Sequence, residues 1–177
     1  MYICQFIFTN KNMIIFIRHS KDGSQNALHR DDPVLTQTGK KIAYKTGSKL
    51  IEKYGIPDQI YYSPFKRTSQ TLDYMLKSLS SNKIEKIVFV EDYKLCRYST
   101  NKHRPKVATE IVGHIPYNES RNAFSSRIIK FAKNLENNKN KVIWCVTHTS
   151  VYIPLSRFYH VKIPAHVSYN DYFVVRN

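Results

Sequence analysis

Short apolar runs alternate along this chain with segments whose apolar residues recur at helical spacing, and that alternation decides what it can fold into. Met13–Ile17 (MIIFI) and Val142–Thr147 (VIWCVT) are near-continuous apolar runs, the pattern of strands covered on both faces. Gln59–Tyr62, Ile87–Val90 and Tyr172–Val175 read as shorter strands. Strands separated by helix-period segments predict an α/β three-layer sandwich, a mostly parallel central sheet with helices on both faces.

The helices announce themselves by their ends. Thr36 is placed to cap a helix running to about Tyr54, with Ile42, Ala43, Gly47, Leu50, Ile51 and Tyr54 on one face. Ser63-Pro64 predicts a second helix, serine as cap and proline in the first position. Glu119–Glu136 repeats Phe124, Ile128, Phe131, Ala132 and Leu135 along one stripe, and another helix starts at about Thr149. Tyr93–Tyr117 is polar and basic, interrupted by Pro105, Gly113 and Pro116, and reads as an excursion near the functional end rather than core. Residues 1–12 read either as an extra edge strand or as a tail. With 177 residues and no internal repeat, a single domain over residues 1–177 is expected.

Charge narrows the partner. Lys and Arg number 28 against 13 Asp and Glu, a net charge of +15, which favours an anionic substrate or surface. No apolar run approaches the roughly 20 residues of a membrane span, so no membrane partner is expected. The 3 cysteines (Cys4, Cys96, Cys145) include no C-x-x-C pair and are too few for a disulfide framework. A reducing, cytoplasmic setting follows as the expectation. No two histidines stand at i,i+4, so a zinc site is not expected.

No phosphate-binding glycine loop is present, and only 5 glycines exist to build one. An anion site must therefore be made of side chains. Arg18-His19-Ser20 follows the first apolar strand, at the sheet end where open α/β folds bind ligands. Arg67 falls in the first turn of a helix after a strand, where free amides share an anion with a guanidinium. His148-Thr149 leaves another apolar strand. Each feature taken alone is commonplace.

Taken in order they are not. Arg18-His19-Ser20, Leu35-Thr36-Gln37-Thr38-Gly39, Ser63-Pro64-Phe65-Lys66-Arg67-Thr68-Ser69-Gln70-Thr71 and Val146-Thr147-His148 follow one another as in the histidine phosphatase (phosphoglycerate mutase-like) superfamily, which the sequence resembles from about Met13 to Val175. Glu119-Ser120 is similar to that family's segment before a helix. The resemblance implies that His19 is a nucleophile that becomes phosphohistidine, that Arg18 and Arg67 clamp the phosphoryl group, and that His148 completes the pocket. It implies no cofactor and no metal. Ser20 stands where the family usually has glycine. Ser20, Asn26 and Thr149 are candidate substrate contacts.

The proton donor to the leaving group is the open point. The family's usual glutamate falls near Arg97 in the best register. Glu91 or Asp92, after the third strand, come first as candidates, and Asp22, in the loop after His19, second. The expected function is a metal-independent phosphatase acting on a phosphomonoester. A mutase is disfavoured because mutases of the family are generally longer. The alternative is a degenerate member that binds phosphate or nucleic acid, using Lys102, His103, Arg104, Lys106 and some of the 13 tyrosines. Basic residues spread evenly along the chain favour the enzyme.

Overall fold

The computed structural model describes residues 13–24, 32–98, 119–139, 141–164 and 166–176. The expectations for residues 1–12, for Asn26 and for most of the basic excursion lie outside the described residues. Strand β1 (Met13–Arg18) is followed by α1 (Gln37–Tyr54), β2 (Gln59–Tyr62), α2 (Lys66–Leu76) and the single turn α3 (Ser81–Ile84). Then come β3 (Val88–Glu91), a 3-10 turn (Tyr93–Leu95), α4 (Arg121–Glu136), β4 (Val142–Thr147), α5 (Thr149–Phe158) and β5 (Tyr172–Arg176).

The five strands form one sheet in the order β3-β2-β4-β1-β5. All neighbours run parallel except β5, which is antiparallel to β1 at an edge. Alternation along β1 assigns the two cores. Ile14 and Phe16 pack with Phe124, Ile128, Phe131 and Leu155 of α4 and α5. Met13, Ile15 and Ile17 pack with Ala43, Leu50, Leu72 and Met75 of α1 and α2. Burying both faces is why β1 and β4 read as unbroken apolar runs rather than alternating ones. The layers are those expected, helix–sheet–helix. Among the described residues, no helix is long and apolar enough to cross a membrane.

Thr36 caps α1, its hydroxyl accepting from the Gly39 amide at 3.0 Å, and Ser120 caps α4 in the same way from Ala123 at 3.1 Å. The second helix departs from expectation. It begins at Lys66, because Ser63 prolongs the β2 ladder by donating its amide to the Val146 carbonyl at 3.1 Å. Phe65, not Ser63, stands at the N-cap position, and its side chain makes no capping hydrogen bond. Register then sets the functional end: Arg18 pairs with Thr147 and Tyr62 with Val146, so the residues that follow, His19, His148 and Ser63, emerge side by side.

Candidate active site

His19 leaves β1 held by the sheet itself, its amide donating to the Thr147 carbonyl at 2.9 Å. Its ring Nδ1 lies 2.9 Å from the Ser20 carbonyl oxygen. A carbonyl only accepts, so Nδ1 carries the proton and Nε2 keeps its lone pair. Burial, followed by the positive charge of Arg67, pushes the pKa of this imidazole down to about 3. At neutral pH the ring is uncharged and able to attack.

His148 sits edge-on to His19 with ring centroids 5.2 Å apart. Arg67 Nε lies 3.4 Å from His148 Nδ1, and a guanidinium only donates, so this nitrogen is the acceptor. The proton is on Nε2, which donates to Ser63 Oγ at 3.0 Å. Burial first, and then Arg67 and His19, hold His148 well below the ordinary histidine range.

Two arginines face these rings. Arg67 is only 3 % exposed, lies 4.5 Å over the Phe65 ring and stands 3.7 Å from Asp22 Oδ2. Burial, with Arg97 next, lowers its pKa to about 10, which leaves it cationic at neutral pH. Arg18 donates through one terminal nitrogen to the Val167 carbonyl and lies 4.2 Å from the centroid of the Tyr169 ring. Its Nε is buried with no hydrogen-bond partner among the described residues.

The sequence boxes interlock around these groups. The Ser20 amide donates to Thr71 Oγ1 at 2.8 Å, and Ser20 Oγ donates to the Gly39 carbonyl at 2.6 Å. Gln70 Oε1 accepts from the Leu35 amide at 2.8 Å. A Cβ on Gly39 would stand 2.0 Å from the Lys21 carbonyl oxygen, so only glycine lets α1 approach the loop after His19. These boxes are largely a frame for the rings and guanidiniums.

A cavity of about 280 Å³ opens among Arg18, His19, Asp22, Arg67, His148 and Thr149. The structure thus brings together six of the residues singled out in the sequence. Ser20 is fully buried with its hydroxyl already bonded, and it does not line the cavity. Nor do the first-ranked acids. Glu91 is exposed at the end of the edge strand, and Asp92 spends its carboxylate on the Lys94 amide at 2.8 Å and the Lys94 ammonium at 3.5 Å. Asp22 is the one carboxylate lining the cavity among the described residues, 6 % exposed, with Oδ2 3.9 Å from His19 Nδ1. Sequence reasoning missed Ser24, Tyr98, Ser150 and Tyr169, which complete the wall, and Ser63, which orients His148. Arg97 also lines the cavity. It surfaced in the sequence only as the residue where a glutamate was sought. Among the described residues, no cluster of three His, Cys, Asp or Glu side chains is placed to hold a metal ion.

The family model for branch 1 of the histidine phosphatase superfamily matches residues 14–158, and the chain belongs to that superfamily. No curated protein sequence matches it. Its fold is similar to that of solved relatives. A phosphoserine phosphatase from Entamoeba histolytica, in complex with 3-phosphoglyceric acid, is 19% identical, with 92% of this chain and 89% of that chain covered and a TM-score of 0.64. A phosphoglycerate mutase from Bacillus anthracis is 16% identical, with 93% and 88% covered and a TM-score of 0.67. A mycobacterial glucosyl-3-phosphoglycerate phosphatase is 12% identical, with 92% and 90% covered and a TM-score of 0.65. At these identities the likeness speaks for the fold.

Proposed function

We propose that this protein is a metal-independent phosphatase that hydrolyses a phosphomonoester through a phosphohistidine at His19. One observation carries the reading: a neutral imidazole with Nε2 free stands in a small cavity with two guanidiniums and a second neutral imidazole. A phosphoryl group in transfer spreads negative charge over its equatorial oxygens, and fixed positive groups stabilise it most where they need not reorganise. Arg18 and Arg67 supply that charge from positions set by the sheet and by the first turn of α2.

In the first step His19 Nε2 attacks phosphorus, the P–N bond forms and the P–O ester bond breaks. Asp22 donates its proton to the departing alkoxide. Water then attacks the phosphohistidine, the P–N bond breaks, and Asp22 takes up the proton of that water, releasing inorganic phosphate. Asp22 replaces Glu91 and Asp92 in this scheme because it alone among the carboxylates considered lines the cavity. The partner this reading implies is an anionic phosphorylated small molecule or side chain. The test is release of phosphate from an aryl phosphate in the presence of a chelator by the wild type and by His19→Ala. Chelator-resistant turnover that His19→Ala abolishes supports the reading; turnover surviving in His19→Ala refutes it.

A further inference from the structure

A second cavity, of about 390 Å³, opens as a groove along α1 and α2. Its walls include the lysines Lys40, Lys41, Lys45 and Lys77 and the tyrosines Tyr44 and Tyr74, and it shares no residue with the cavity at His19. No carboxylate lines it, and none of these lysines forms an ion pair among the described residues. Asp73, one helical turn before Lys77, feels the charge of that lysine without coming within ion-pair distance.

Helical spacing builds the groove. Lys40, Lys41, Tyr44 and Lys45 share one flank of α1, while Ala43, Gly47 and Leu50 turn to the core. A Cβ on Gly47 would stand 2.1 Å from the Met75 carbonyl oxygen, so glycine there lets the two helices close up and sets Tyr74 and Lys77 beside the lysines of α1. Along its length α1 carries five lysines against one carboxylate, Glu52. Lys41, Lys45 and Lys49 are exposed and follow one another at i+4, about 6 Å apart along the axis, so the positive stripe runs on past the groove.

The aromatic rings select among anions. Lys77 lies 3.9 Å and Lys40 5.6 Å from the centroid of the Tyr74 ring, which gathers two ammoniums at one point. Tyr44 is 45% exposed, and its ring has no aromatic or cationic partner among the described residues. The face of such a ring is negative, so it repels a carboxylate but stacks on a flat base. No leucine, phenylalanine or tryptophan lines the groove to enter a lipid surface. We propose that this groove binds single-stranded nucleic acid, a base stacking on Tyr44 and successive phosphates lying on Lys40, Lys41, Lys45 and Lys77. The site goes beyond the phosphatase reading and does not depend on it.

The test is fluorescence anisotropy with an oligothymidine of about ten nucleotides and with an abasic oligomer of equal length and charge, over a range of salt. Both lack terminal phosphates, so neither offers a phosphomonoester to the cavity at His19. The wild type is expected to bind the base-bearing strand about tenfold more tightly than the abasic one. Tyr44→Ala should remove most of that difference and change the abasic affinity by less than about twofold. Lys41→Gln combined with Lys45→Gln should reduce the slope of log affinity against log salt by about 1.4. Lys130→Gln combined with Lys133→Gln, exposed positions on α4 across the sheet, removes the same charge and should leave that slope in place. Equal affinity for the two strands, or equal effects of the two lysine pairs, would overturn the proposal. Tighter binding of polyglutamate or of anionic phospholipid vesicles than of oligothymidine, weakened by the same Lys41→Gln and Lys45→Gln pair, would also overturn it and give the groove to an acidic polypeptide or a membrane.

Discussion

The Ser20 amide donates to Thr71 Oγ1 at 2.8 Å, and the Thr71 hydroxyl in turn donates to the Arg67 carbonyl at 2.6 Å. One buried side chain therefore ties the strand exit that carries His19 to the helical turn that carries Arg67. Ser20 and Thr71 are fully buried. Thr71→Val keeps the shape and removes both bonds, leaving the Ser20 amide without a partner. An orphaned buried donor costs about 1–3 kcal/mol, which denaturant unfolding should record together with a lower kcat. Unchanged stability would mean that the loop is held by other contacts.

Arg67→Lys keeps the charge and loses the fork. One ammonium cannot span two phosphoryl oxygens while also meeting His148 Nδ1, so kcat/KM should fall by roughly 10²–10³-fold. Steady-state kinetics on an aryl phosphate read this directly. A lysine variant within a few-fold of wild type would remove Arg67 from the clamp.

For Asp22 the informative quantity is a ratio. A proton donor matters when the leaving alkoxide is poor and matters little for a nitrophenolate, which leaves unaided. Asp22→Asn should cost about 10²–10⁴-fold on an alkyl phosphate and far less on nitrophenyl phosphate. Equal losses on the two substrates would make Asp22 a partner of Arg67 alone.

Two imidazoles buried in neutral form also fix how stability changes with pH. His19 is held at about 3 and His148 well below its ordinary value of 6.5, so between those limits the unfolded chain binds protons that the folded chain refuses. Their contribution is complete above about pH 6.5 and is lost as pH falls toward 3. Denaturant midpoints measured across that range should decline with acid, and His19→Asn should flatten the decline. A slope unaffected by His19→Asn would show that this ring is not buried as a neutral group.

How much of this was readable in advance depends on distance along the chain. β1, β4 and the Thr36 cap follow from neighbours a few residues away, so runs and spacings revealed them. The start of α2 did not, because Ser63 is drawn into the ladder by Val146, far along the sequence. The carboxylate that lines the cavity stands second in the sequence ranking for the same reason. A carboxylate after β3 looks well placed until Asp92 is seen to satisfy the local amide of Lys94, while Asp22 is carried to the cavity beside Arg67. Tyr169 reaches the site from the loop before β5 and leaves no pattern in sequence. The arginines and histidines that line the cavity were legible. The loops that complete the wall were not.

The central claim is a covalent one, and it can be read directly. Rapid acid-free quenching of the enzyme during turnover of a ³²P-labelled phosphomonoester should trap label on protein, stable in alkali and lost in mild acid as expected of a phosphoramidate. Peptide mapping should place it on His19, and His19→Ala should carry none. A wild type that turns over without ever holding label, or a His19→Ala protein that is labelled equally, would contradict the account.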